Sequence, residues 1–292
     1  MFISEMLRDD KVTVSFEVFP PKVESSFDTV KAAVTELNKL HPDYMSVTYG
    51  AGGSTSKKTT DIASYIQKDL GTNALAHLSC ISSTREQIEK QLNDMRSAGI
   101  DNILALRGDM PEDGVLPGGM EYHYAWQLVE DIKKKGGFCV GAACYPEGHV
   151  ECLNKTKDLD YLKQKVDCGC DFLVTQMFFD NNVLYTFLYN ALKAGIDLPV
   201  TAGIMPVTNS RQISRICSLS GTSLTPKFRS ILDKFGDNPA ALKQAGIAYA
   251  VDQIVDMVSN GIKGIHIYTM NKPDVAQSIL NSLSSVFGRD DN

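Results

Sequence analysis

Eight short apolar runs recur along the chain, each about the length of a β-strand. They are Val12–Phe19, Tyr44–Gly50, Ala74–Cys80, Asn102–Asp109, Cys139–Pro146, Phe172–Phe179, Pro199–Pro206 and Gly264–Asn271. Runs such as VTVSFEVF and FLVTQMFF scarcely alternate with polar residues, as in a parallel sheet covered on both faces. The gaps between them carry helical spacing. Phe27, Val30, Val34 and Leu37 repeat at intervals of three and four, so one stripe faces a sheet. Ser83-Thr84-Arg85-Glu86 has the Ser-x-x-Glu form of a capping box. Ile88, Leu92 and Met95 continue that helix and Gly99 ends it. Gly136, Gly169, Gly195 and Gly261 stand in the same place before later strands.

Strand and helix alternating eight times predict an α/β fold, a single (β/α)8 barrel over residues 1–292. Helical patterns at 209–219, 226–235 and 239–260 put extra helices between the seventh and eighth strands. An open doubly wound sheet is the alternative. Binding a dinucleotide, such a sheet carries a Gly-x-Gly-x-x-Gly turn after its first strand, where this chain has Pro20-Pro21.

Composition narrows the class. The 292 residues are 43% apolar and 22% charged, ordinary for a globular protein, and the net charge is −6. That acidity argues against nucleic acid or an anionic membrane as partner. No window approaches the ~18 apolar residues of a membrane span, and MFISEMLRDDKV meets acidic residues too early for a secretory signal. Seven cysteines without a regular framework suit a reducing, cytoplasmic setting, and no zinc-type spacing is present.

In such a barrel chemistry sits at the C-terminal ends of the strands. Glu17 lies there among Phe16, Val18 and Phe19, and a desolvated carboxyl is suited to hold a proton near neutrality. Thr48 and Tyr49 precede the glycine-rich turn Gly50-Ala51-Gly52-Gly53-Ser54, whose backbone N–H groups would suit a phosphate. His77 lies within the third run. Arg107-Gly108-Asp109 closes the fourth and offers an anion clamp, with Gly108 allowing a flat ligand to approach. Tyr145-Pro146-Glu147 and His149 follow the fifth, and Asp158, Tyr161 and Lys165 share one helical face. Gln176 sits in an apolar run and needs partners for its amide, and Asn209, Gln212 and Tyr268 complete the rim. Each has a plainer alternative: a rim ion pair, a tight turn, or a hydrogen-bonded core histidine. The residues alone describe a barrel enzyme with a polar, aromatic mouth and no nucleophile–base pair.

The strings SFEVFPPK, SVTYGAGG, ALRGD, YPEGH, TQMFFD, GIMPVTN and HIYTMNK fall in this order between about residue 10 and residue 280. Together they resemble the methylenetetrahydrofolate reductase family, in its short bacterial form. The resemblance implies a (β/α)8 barrel holding FAD in its mouth. NADH or NADPH would reduce the flavin, which then reduces 5,10-methylenetetrahydrofolate to 5-methyltetrahydrofolate in a ping-pong cycle of one-carbon metabolism and methionine biosynthesis. It implies Glu17 as the general acid that helps open the folate's bridging ring, and Asp109 as a group tuning flavin and anchoring pterin. Flavin contacts are implied at Thr48, Tyr49, Ala51, His77, Arg107, Gly108, Asp109, Tyr124, Ala125, Ala143, Tyr145, His149, Asp158 and Lys165. Folate contacts are implied at Gln176, Gln212, Tyr268 and Lys272, with Gln176 also meeting the nicotinamide nucleotide. A homo-oligomer is implied as well. Two positions depart from the family pattern. Tyr161 stands where a smaller polar residue or His is usual, and Lys272 replaces an Arg, giving a point charge in place of a fork. A flavin-free pterin barrel that moves a methyl group, and a non-catalytic folate-binding subunit, share parts of this pattern.

Overall fold

A computed structural model of the chain describes residues 1–21, 26–49, 55–109, 121–152 and 154–289. Eight parallel strands follow one another around a closed barrel. They are β1 (Thr13–Val18), β2 (Tyr44–Val47), β3 (Asn73–Ser79), β4 (Asn102–Leu106), β5 (Cys139–Cys144), β6 (Phe172–Thr175), β7 (Val200–Ile204) and β8 (Gly264–Tyr268). The ring closes where β8 pairs with β1, Ser15 against His266 and Glu17 against Tyr268.

Each strand stops short of the apolar run that predicts it. Thr48-Tyr49, Arg107-Gly108-Asp109, Tyr145-Pro146 and Gln176 have left the ladder and form the upper rim. They stay apolar-flanked because the rim is itself packed. Ile81 N–H, for example, bonds to the Arg107 carbonyl at 2.8 Å beyond the last strand pair.

Period-two alternation sorts the strand residues into two layers. Val14, Phe16 and Val18 face outward and pack in the layer that also holds Val30, Val34 and Leu37 of α2 (Phe27–Asn38). Tyr44, Leu75, Leu104, Cys139, Phe172 and Val174 fill the inside, together with Ile3, Met6 and Leu7. The short helix α1 (Ile3–Met6) therefore caps the N-terminal end of the barrel. Its Ile3 N–H donates to the buried Asn102 side chain at 2.9 Å. One end is filled with apolar side chains, and polar groups collect at the other.

The outer ring continues with α3 (Thr55–Ser64), which runs into a π-turn at Tyr65–Asp69, then α4 (Arg85–Ser97), α5 (Ala125–Lys135), α6 (Lys155–Asp167) and α7 (Asn181–Lys193). The α4 cap lies one residue later than its sequence suggests. Thr84 accepts from Gln87 N–H and the Gln87 side chain returns to Thr84 N–H, so Ser83/Glu86 is not the box. Gln at the third helical position serves as well as Glu. At the end of α5, Gly136 has φ +71°, a conformation that L side chains rarely adopt. Three helices, α8 (Ser210–Ser220), α9 (Pro226–Phe235) and α10 (Pro239–Ser259), fill the β7–β8 crossover, and α11 (Pro273–Leu283) follows β8. Phe179 stacks on Phe228 at 5.0 Å, and Tyr249 of α10 donates to the Phe179 carbonyl at 2.6 Å, which ties this insertion to the end of β6.

The interior balances large residues against small ones. A Cβ on Gly141 would lie 2.5 Å from the Phe172 ring, so the ring occupies the space a side chain would need. Gly141→Ala is expected to lower stability by about 1–3 kcal/mol in denaturant unfolding, through overpacking. Adding Phe172→Leu should restore part of that loss.

Candidate active site

Four strands and one loop build the buried half of the site. Alternation on β1 turns Ser15 and Glu17 inward, and Glu17 is only 8% exposed. The register sets Glu17 beside Ser46 on β2 and Tyr268 on β8. Two imidazoles flank its carboxylate: His77 Nε2 lies 3.7 Å and His266 Nε2 3.5 Å from Glu17 Oε2. Burial pulls the His77 pKa down to about 4, against the opposing pull of Glu17, so this ring is neutral at physiological pH. Its Nε2 is buried without a hydrogen-bond partner among the described residues. His266 meets Ser15 Oγ through Nδ1 at 2.8 Å, and Ser15 Oγ also lies 3.3 Å from the Ile265 carbonyl. A serine has one proton to give. If it goes to Nδ1, then Nε2 carries a hydrogen toward Glu17. If it goes to Ile265, then Nδ1 is protonated and Nε2 is an acceptor, which the Ser46 hydroxyl meets at 3.4 Å. Nε2 thus faces two oxygens, Ser46 Oγ at 3.4 Å and Glu17 Oε2 at 3.5 Å.

The β8–α11 turn fixes the backbone under this carboxyl group. Thr269 Oγ1 donates to the Glu17 carbonyl at 2.7 Å, and Asn271 both accepts from Phe19 N–H (2.8 Å) and donates to the Phe19 carbonyl (3.0 Å). Reaching that position puts Met270 and Asn271 at φ +52° and +55°, a costly region for residues other than Gly. The Tyr268 hydroxyl spans the barrel to donate to the Thr175 carbonyl at 2.8 Å. Gly203 leaves it room, since a Cβ there would lie 2.6 Å from the phenol oxygen. Burial, and next the Glu17 charge, raise the Tyr268 pKa well above the usual phenol range, so it remains a fixed donor.

The other half of the mouth is cationic. Arg107 grips Glu151 with both ends of its fork at 2.6 Å, and this bond holds the guanidinium protonated. The Tyr145 ring packs edge-on to His149 at 4.7 Å, and burial pushes its hydroxyl up to about 12. Burial also lowers the pKa of His149 and of Lys165. Asp158 accepts from His149 N–H at 3.2 Å, while Lys165 donates to the Ala143 carbonyl. Asp109 is exposed at the rim, near enough to Arg107 and Tyr145 to act on both electrostatically. Tyr268 feels both Glu17 and Tyr145, which joins the two halves across one opening. A cavity of about 240 Å³ adjoins the cationic half, lined by Tyr145, Pro146, Asp158, Leu159, Phe187 and Asn190 among others.

Not every predicted residue points the way its motif suggests. The Tyr49 ring packs with the sheet–helix layer and its hydroxyl donates to Gln91 at 3.3 Å, away from the barrel axis. Gly108, at φ +90°, is required by packing: a Cβ would meet Ser79 Oγ at 2.0 Å, so ligand approach is not what excludes a side chain. Asn209 caps α8 by accepting from Gln212 N–H at 3.0 Å. The Gln176 amide oxygen accepts from Met177 N–H at 2.9 Å, while the residue itself is half-buried just past β6. Lys272 donates to Thr208 at 2.9 Å, bringing the β8 turn against the β7 loop that leads to Gln212. Thr48 is half-buried at the end of β2, and its carbonyl accepts from Thr59 at 2.9 Å. Tyr124 and Ala125 open α5. Ala51 and the glycine-rich turn 50–54 lie outside the described residues. Reading motif by motif passes over His266, Ser15, Thr269, Asn271 and Glu151. Stepping two residues back from Tyr268 and from Glu17 would have located His266 and Ser15.

No cluster of metal-ligating side chains exists among the described residues, and none of their helices is long and apolar enough to cross a membrane. A family-wide sequence pattern described as "Methylenetetrahydrofolate reductase" matches residues 2–284. A "5,10-methylenetetrahydrofolate reductase" of Pectobacterium carotovorum subsp. carotovorum is 33% identical, over 94% of this chain and 90% of the relative. The protein of that name from Escherichia coli (strain K12) is 33% identical over 94% and 91%. "Methylenetetrahydrofolate reductase (NADH) 1" of Arabidopsis thaliana is 33% identical, and the chain spans half of its length. Among solved structures, "Uncharacterized protein from Clostridium thermocellum binds two copies of 5-methyl-5,6,7,8-tetrahydrofolic acid" covers 99% of both chains at TM-score 0.66. Its 13% identity makes this a likeness of fold.

The depressed His77 pKa has a signed consequence for stability. The folded state binds this proton less well than the unfolded chain does. Stability from this group is therefore complete above pH ~6.5 and lost progressively toward pH 4, by up to ~3 kcal/mol. His77→Gln should flatten the stability profile between pH 6.5 and 4 in denaturant titrations. Parallel profiles for the two proteins would contradict the neutral assignment.

Proposed function

The chain belongs to the methylenetetrahydrofolate reductase family, and from that premise we propose that it is a flavin-dependent cytoplasmic oxidoreductase. It reduces 5,10-methylenetetrahydrofolate to 5-methyltetrahydrofolate with electrons from NADH or NADPH. The observation that carries this reading is Glu17, sunk between two imidazoles at 3.5 and 3.7 Å where the barrel opens.

The side chains present suit FAD. Arg107 and Lys165 bring positive charge to one rim segment, as a pyrophosphate requires, His149 stands beside them as a neutral polar ring, and His77 offers a buried nitrogen that no described residue satisfies. Thr48, Ala143, Tyr145 and Asp158 border the same opening. Bound there, FAD would supply a two-electron hydride relay, chemistry that no side chain of the site offers.

The remaining steps belong to the protein. Glu17 delivers a proton to the nitrogen released when the folate's bridging ring opens. The buried setting suits this, because a carboxyl group set into the barrel mouth can hand a proton directly to a bound substrate without bulk water between them. His266 and Ser15 sit behind the carboxyl group, so a replacement proton can be taken up along their hydrogen bonds. Asp109, exposed at the rim, accepts from the pterin's donor edge, and Gln176 presents the two N–H donors of its amide nitrogen because Met177 N–H occupies its oxygen. Gln212 and Lys272 meet the polar tail of the folate, Lys272 as a point charge that must give up Thr208. Tyr268, pinned to Thr175, shapes the wall.

The purified protein should be yellow or take up FAD. Its flavin band should bleach with NADH or NADPH under anaerobic conditions and return with methylenetetrahydrofolate. A chain that binds no flavin would defeat this reading. Glu17→Gln should leave the nicotinamide half-reaction nearly unchanged and slow the folate half-reaction by ~10²–10⁴-fold in stopped flow, the range for a positioned acid. Equal losses in both halves would make Glu17 a structural residue.

A further inference from the structure

Past the end of β6 at Thr175, the carbonyls of Met177, Phe178 and Phe179 lie beyond the strand ladder on three buried residues. A buried carbonyl needs a donor. Each of these accepts from a side chain of the β7–β8 insertion. Thr222, in the turn between α8 and α9, donates to Met177 at 3.2 Å. From α10, Gln253 donates to Phe178 at 3.2 Å and Tyr249 to Phe179 at 2.6 Å. Ser220 Oγ donates to Thr222 Oγ1 at 2.9 Å, so the Thr222 hydrogen is left for Met177. Thr222 and Gln253 are themselves buried, at 6% and 5% exposure, a cost that such bonds offset.

The segment so held begins beside Gln176. The Gln176 backbone N–H is fixed on the Cys144 carbonyl at 2.8 Å, and its amide oxygen accepts from Met177 N–H at 2.9 Å. Met177 is therefore gripped twice, at its N–H by Gln176 and at its carbonyl by Thr222. The direction of Met177 N–H decides how the Gln176 amide turns, and with it where the two amide N–H donors point. Resting on the reading above, in which Gln176 meets the substrate, we propose that Thr222 is a positioning residue for Gln176. It acts through the Met177 peptide, while Gln253 and Tyr249 hold the next two peptides in place. The helices between β7 and β8 thus serve the substrate residue of a neighbouring strand as well as filling a crossover.

Thr222→Val keeps the shape of the side chain and removes its donor, while Thr222→Ser keeps the donor. Each would be titrated with 5-methyltetrahydrofolate, beside Gln176→Ala and the double variant carrying Thr222→Val with it. Thr222→Val should weaken binding on the order of fivefold, the scale of one hydrogen bond, and Thr222→Ser should stay near the native value. The double variant should bind no worse than Gln176→Ala alone, because Thr222 acts through that amide. FAD affinity should be native throughout, and in turnover the KM for methylenetetrahydrofolate should rise more than kcat falls. Unchanged binding, additive losses in the double variant, or an equal loss of FAD affinity would overturn the proposal. If Thr222→Val does not fold, Tyr249→Phe, which removes the bond to Phe179, takes its place in the same cycle. Should the native chain bind no folate, the functional reading fails on its own. Crystal structures of the native and variant chains then decide the positioning role: a Gln176 amide turned away from Met177 N–H supports it, and an unmoved amide rejects it.

Discussion

The seam between β1 and β8 is the constraint on which the site depends. Closing the barrel there sets Glu17 opposite His266 and Tyr268, and the turn after β8 then reaches back to hold the Glu17 and Phe19 backbone through Thr269 and Asn271. A polar group this deep depends on the partners that the barrel supplies. The seam sets Glu17 Oε2 3.5 Å from His266 Nε2, and Ser46 Oγ meets the same nitrogen at 3.4 Å. Positive φ at Met270 and Asn271 is the strain accepted for that geometry.

The rest of the mouth divides by charge. One half is a buried carboxyl group between two imidazoles, with His77 kept uncharged by burial. The other half gathers Arg107, His149 and Lys165, and there Glu151 holds the arginine fork at 2.6 Å. An anionic ligand must exchange with Glu151, so part of its binding energy goes to breaking a charge-assisted pair. Tyr268 and Tyr145 stand between the halves as raised-pKa phenols, which keeps the boundary uncharged. On the function proposed above, the separation would let one opening serve phosphate recognition and proton transfer without mutual neutralisation.

Much of this arrangement was legible in the chain. Eight nearly continuous apolar runs required a sheet covered on both faces, and the closed barrel is that sheet. Barrel topology makes strand ends meaningful and so singled out Glu17, His77, Arg107 and Tyr145 as candidates. What escaped lies one layer deeper. His266 and Ser15 belong to the same alternation as Tyr268 and Glu17, but a polar residue inside an apolar strand looks like a satisfied core group until its opposite number is known. Thr269 and Asn271 bond across more than 250 residues of sequence, a register no local pattern encodes. Tyr49 and Gly108 show the converse. Their motif positions suggest a ligand, while their contacts with Gln91 and Ser79 are those of packing.

The general-acid role proposed for Glu17 requires a proton on its carboxyl group or on the imidazole nitrogen facing it, and that proton can be observed directly. Neutron diffraction from deuterated crystals at neutral pH would locate it. A deuterium between Glu17 Oε2 and His266 Nε2, on either atom, is the result this account predicts. An ionised Glu17 facing an Nε2 that carries no deuterium would contradict it.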